Sequence, residues 1–162
     1  MPADVRAIAN FVLDVAEEEG VEVTNLALNK IVYFLHAESL VHEGEPLISA
    51  KIEAWKYGPV FREIYGEFKA FGAKPISSRA QRINKLTGDS EVCTLDATEQ
   101  DSNKLRETCL PYLRLSASQL VNLSHVRGGA WDAVFHHDGK SNPGMAITDT
   151  IIRRHFAQRT FH

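Results

Sequence analysis

Seven histidines and two cysteines are the residues of this chain best suited to hold a metal or move a proton, and their spacing decides whether they can. The sequence contains no His-Glu-x-x-His, Cys-x-x-Cys or Gly-x-Ser-x-Gly, the short intervals that bring ligands or a nucleophile and its base together. His36 and His42 stand six residues apart, which at ~100° per residue turns them to different sides of a helix. His136, His137 and Asp138 are consecutive and diverge for the same reason. A hydrolase using His36, His125, His136 and His137 is therefore motivated by their number alone. Gly128-Gly129 follows no strand, so it reads as a connection between helices and not as a phosphate-cradling loop. These patterns predict no catalytic set, no metal site and no cofactor.

Charge offers a second kind of chemistry, that of recognition. Lys69, Lys74, Arg79, Arg82 and Lys85 occur with no acid between Glu67 and Asp89, and Ser77, Ser78, Asn84 and Gly88 mark residues 73–91 as an exposed basic loop or hairpin. Such a segment can be merely solvated, can dock an acidic partner surface, or can contact nucleic acid. The nucleic-acid reading is weakened by the absence of interleaved aromatics and by 18 Lys and Arg against 21 Asp and Glu, a net charge of −3. Lys30 interrupts an otherwise apolar stretch. It must snorkel, pair with a carboxylate or contact a partner, because an unpaired buried charge is costly.

The elements that carry these residues follow from hydrophobic spacing. With 162 residues, 44% hydrophobic and 24% charged, the chain fits one compact domain spanning 1–162. No apolar run approaches a membrane span and no signal peptide opens the sequence. Cys93 and Cys109 read as reduced thiols, all pointing to a cytoplasmic protein. Val5, Ile8, Val12, Val15 and Ala16 predict a helix over 4–19, closed by Gly20. Glu17, Glu18 and Glu19 at its end oppose the helix dipole and read as a solvated face. Thr24 caps a second helix, apolar nearly all round and therefore central, which ends at Gly44. Residues 51–57 read as a strand, and Pro59 as the first position of a helix carrying Phe61, Ile64, Tyr65, Phe68 and Phe71 on one face.

Asp96 with Glu99 forms a capping-box pattern for a further helix that Pro111 should kink or end, and Ser116 with Gln119 repeats the pattern. Trp131, Val134 and Phe135 form a short helix, and Thr148-Asp149 caps a last one. The fold class is α+β, predominantly α-helical, with about six or seven helices and short strands near 51–56, 91–95 and 144–147.

Three segments together resemble the Panacea domain, found in antitoxins and in SocA-type proteolytic adaptors. They are Val23–Phe34, with a threonine-led "L-x-L-x-K-L-x-Y" helix; Ala54–Phe61, with a "W-x-x-G-P-V" turn; and Leu120–His125 followed by Trp131. Ile31 stands where leucine is commoner, and Pro111 interrupts a helix that the family usually keeps whole. The resemblance implies a bacterial antitoxin that neutralises a cognate protein toxin by direct binding. It further implies, in the SocA-type form, an adaptor that delivers the toxin to a ClpXP-type AAA+ protease. An alternative of a different class is a DNA-binding autorepressor of a toxin–antitoxin operon, carried by the basic segment.

Within the matching motifs, Leu28, Tyr33 and Trp55 read as packing residues, while Gly58 and Pro59 shape the turn. Lys30, Lys56, Tyr57 and Arg62 are the polar members suited to toxin recognition, since Arg and Tyr are enriched at binding hot spots. Trp131 is either a lid on the core or an exposed anchor.

Overall fold

The computed structural model describes residues 2–156. Several of its helices start where a side chain satisfies an orphan amide of the first turn. Asp4 accepts from the Arg6 amide to open α1 (Val5–Glu18), and Thr24 accepts from the Ala27 amide to open α2 (Asn25–Glu38). α2 is buried almost along its whole length. It continues as a π-helical turn, Ser39–Glu43, which Gly44 ends in the left-handed region (φ 76°). Around α2 pack α1, α3 (Arg62–Glu67), α4 (Glu99–Leu113), α5 (Ala117–Ser124) and α7 (Asp149–Phe156). A helix apolar on all sides has no solvent face to spend, and its place at the centre follows from that.

Strands β1 (Glu53–Trp55) and β2 (Gly58–Val60) form a hairpin on which β5 (Met145–Ala146) adds a third strand, in the order β2-β1-β5. Here the sequence expectation needs correcting. Pro59 does not open a helix but sits in β2 opposite Ala54, and the helix begins at Arg62. The chain reverses at Lys56-Tyr57, and β2 is an edge strand, where a residue without an amide hydrogen is tolerated.

A second hairpin, β3 (Gln81–Ile83) with β4 (Ser90–Val92), falls on the basic segment. Asn10 of α1 pins its base: the Asn10 amide donates to Ala80 O (2.9 Å) and Cys93 O (2.8 Å) and accepts from Ala80 N (2.8 Å). The cap of α4 also differs from expectation. Thr98, not Asp96, accepts from the Asp101 amide, because the first helical residue is Glu99. Pro111 does not end α4 at its own position: the helix runs on to Leu113, and the lost hydrogen bond falls in the last turn. The Ser116–Gln119 capping box of α5 is formed in both directions, and Gly129 precedes α6 (Ala130–Phe135).

The described residues thus hold seven α-helices and short antiparallel strands, a mainly helical α+β fold. The core around α2 is closed by aromatic packing, with Phe34 stacked on Tyr112 (5.1 Å, 2°) and tilted against Phe156 (6.5 Å). No described helix is long and apolar enough to cross a membrane.

Candidate functional site

The β1–β2 hairpin and the start of α3 build a corner from the inside outward. Glu53 is 4% exposed, an unusual place for a carboxylate. It accepts from Arg62 Nε (2.5 Å) through one oxygen and from Trp55 Nε1 (3.1 Å) through the other. Burial alone would raise its pKa, but the bonds from Arg62 and Trp55 outweigh it and hold the carboxyl below the usual range. Glu53 therefore fixes two side chains that face outward. The Arg62 guanidinium lies 5.9 Å from the Trp55 ring centre, and Tyr65 meets that ring edge-on at 4.9 Å. Beside them, at the turn, Lys56 Nζ lies 5.5 Å from the ring centre of Tyr57, which is 58% exposed. The result is an exposed aromatic and cationic surface held from beneath by a buried acid.

Behind this surface lies a second layer. Trp131 is buried and donates from Nε1 to the Trp55 carbonyl (2.8 Å). It stacks between His125 (3.8 Å, 11°) and Phe135 (4.7 Å, 14°). Lys30 reaches this layer from α2, fully enclosed, with its end against the backbone of Gly58. Among the described residues, Lys30 Nζ and His125 Nε2 are the two buried side-chain nitrogen or oxygen atoms without a hydrogen-bond partner. Burial lowers the Lys30 amine to about 8. It also lowers the His125 imidazole, and the Lys30 charge adds to that effect.

Of the recognition residues read from sequence, Arg62 meets Trp55 and Glu53, and Lys56 and Tyr57 meet each other at the turn that follows Trp55. Trp131 takes the lid position and presents no surface. Lys30 neither snorkels nor pairs; it is enclosed without a carboxylate, a correction to the expectation that geometry would relieve its charge. Leu28 and Tyr33 are buried, and Trp55 is partly so. Glu53 and Ser124 were not singled out from sequence as site residues, and Tyr65 was read there only as part of the apolar face of its helix. Glu53 alternates with Trp55 across one strand residue, but nothing local says that an acid there will be buried.

The histidines divide between unrelated environments. His36 is 1% exposed and bonded to Asp149 (2.9 Å), whereas His125 and His136 flank Trp131 and His136 bonds Asp132 (2.8 Å). Among the described residues no group of three metal-ligating side chains converges.

The basic segment is compensated in part: its two arginines are paired, whereas Lys69, Lys74 and Lys85 make no salt bridge among the described residues. Arg79 pairs with Asp14 (2.8 Å) and Glu17 (3.1 Å), and Arg82 pairs with Glu91 (3.1 Å). Glu18 pairs with Arg106, so two of the three acids that close α1 meet remote arginines, while all three remain exposed as their reading as a solvated face expects.

A family model described as "Antitoxin SocA-like, Panacea domain" matches residues 28–132, a span containing Lys30, the Trp55 corner, His125 and Trp131. Antitoxin SocA of Caulobacter vibrioides is similar to this chain, with 38% identity over 154 residues, covering 94% of this chain and 82% of that protein. No solved structure matches.

Proposed function

The chain belongs to the SocA-like antitoxin family with the Panacea domain, and on that premise we propose that it binds a protein toxin through the Trp55 corner and holds it inactive. The observation that carries this reading is the exposed set Tyr57, Arg62 and Tyr65 around the half-buried Trp55, with Arg62 and Trp55 held by the buried Glu53 carboxylate. Aromatic and arginine side chains dominate the energetics of protein interfaces, and side chains already held in place lose less entropy on binding. In the adaptor form of the activity, the bound toxin is tethered at a ClpXP-type protease, which raises its effective concentration there. The protein then works in the cytoplasm, where toxin and protease meet. The DNA-binding alternative draws less support, since Arg79 and Arg82 are already paired with carboxylates and the chain carries a net charge of −3.

Co-expression with a candidate toxin, first the product of the adjacent gene, tests the proposal. Growth is restored and the two proteins co-purify; continued arrest despite stable accumulation of this protein overturns the reading. The adaptor form is read from toxin half-life, which shortens only in cells that contain the protease.

A further inference from the structure

The two orphan nitrogens, Lys30 Nζ and His125 Nε2, belong to one place in the fold. Lys30 comes from α2, and His125 follows the last residue of α5. Gly58 lies between α2 and the end of α5. A Cβ built on Gly58 would come 2.7 Å from Ser124 Oγ and 3.1 Å from Lys30 Nζ, so only glycine brings the backbone this close. Lys30 is wholly shielded from solvent, but the backbone against its amine directly follows the exposed turn residues Lys56 and Tyr57. A ligand reaching the amine from that side would have to displace this two-residue turn.

A buried ammonium without a counter-charge opposes folding, and its natural complement is a carboxylate. Lys56, on the turn itself, adds a cation that makes no salt bridge among the described residues. The imidazole of His125 offers a further polar atom on the same side, and the Ser124 hydroxyl, donating to Val121 O (2.8 Å), keeps its lone pairs free. The surface above is the proposed toxin contact.

We infer that Lys30 and His125 form a receptor for a carboxylate, supplied by an aspartate or glutamate side chain of the bound toxin and admitted when the Lys56–Tyr57 turn lifts. The inference rests on the toxin-binding reading and names the chemistry of its partner: an acidic anchor residue set beside a surface that accepts the Tyr57 and Trp55 rings. Desolvation of the ammonium is already met in the folded protein, so a carboxylate arriving there gains an interaction that an exposed lysine does not provide.

The test uses full-length protein carrying carbon-13 at lysine Cε, titrated with N-acetyl-aspartate amide and, separately, with the toxin. The Lys30 signal is expected to shift saturably with the probe, while exposed lysines such as Lys140 show only a gradual salt-like drift. Lys30→Met is expected to melt higher than wild type yet bind the toxin at least about tenfold more weakly. A Lys30 signal unmoved by the probe, or toxin binding unchanged in Lys30→Met, overturns the receptor. Wild-type protein that binds no toxin overturns the toxin-binding reading and with it the source of the carboxylate. Should Lys30→Met fail to fold, the titration of the unaltered chain decides the matter.

Discussion

His36, buried in α2, bonds Asp149 at the start of α7 through Nε2 at 2.9 Å, while its Nδ1 lies 3.3 Å from both the Leu47 and Ile48 amides. Two amide donors on Nδ1 require that atom to accept, so the ring proton sits on Nε2 and is donated to the carboxylate. One imidazole thus ties the central helix to the loop after the π-helical turn and to the last helix. His36→Ala is expected to lower stability by about 3 kcal/mol in urea unfolding, since it opens a cavity and strands two amides. Asp149→Ala is expected to cost about 1 kcal/mol, because its side chain is half exposed and water can replace it. Equal losses would show that the loop amides contribute nothing.

Gly58 combines a positive φ of 121° with neighbours at contact distance, and the two effects should add. Gly58→Ala is expected to cost about 2–4 kcal/mol, from backbone strain plus the clash with Ser124. Gly20, at φ 68° with nothing within 4 Å, provides the control: Gly20→Ala should cost about 1 kcal/mol from strain alone. Thermal unfolding of the two variants separates the contributions.

Lys30 carries a pH signature of known sign. Its amine falls from 10.5 to about 8 in the folded protein, an opposition to folding of about 3 kcal/mol below pH 8. Between those values the unfolded chain holds a proton that the folded chain has released, so stability gains with rising pH. The advantage of Lys30→Met over wild type should therefore be largest below pH 8 and close towards pH 10.5. Measuring the difference between the two proteins removes the opposite trend from Tyr33 and Tyr112, whose buried phenols are pushed upward in both.

Glu53 should govern the acid side of the corner. Its carboxyl titrates below the usual 4.5, so its contribution is present above that pH and is lost as pH falls through the folded value. Trp55 and Arg62 lose their common anchor in that range, which tryptophan emission reports. In Glu53→Gln the acid-induced change in emission should flatten.

Tyr57→Ala should leave the melting temperature within about 1 °C of wild type, because the ring is exposed. Toxin binding should weaken by about 2 kcal/mol, roughly 30-fold, in calorimetry. Loss of fold with loss of binding would instead make Tyr57 a structural residue.

Much of the architecture was legible because it is local. Thr24 and the Ser116–Gln119 pair cap the helices they precede, and the nearly all-round apolar character of α2 foretold its central position. Lys56, Tyr57 and Arg62 lie close in sequence, so one turn and the start of one helix suffice to place them. The misreadings are also local in kind. A Gly-Pro pair suits a helix start as well as an edge strand, and only the pairing of β2 with β1 distinguishes them. Asp96 and Thr98 are both competent caps, and the choice depends on where α4 meets its neighbours.

Periodicity, capping chemistry and the family's motif segments were already written in the order of residues, because helix and turn energetics act over four or five positions. Whether a charge is paired was not. Arg79 meets Asp14 and Glu17 across 65 and 62 residues, and Glu53 finds its arginine only through a hairpin. Lys30 finds no carboxylate among the described residues. A charge interacts with whatever lies within a few ångströms in space, so its solvation and its partners belong to the folded shell and to no interval along the chain.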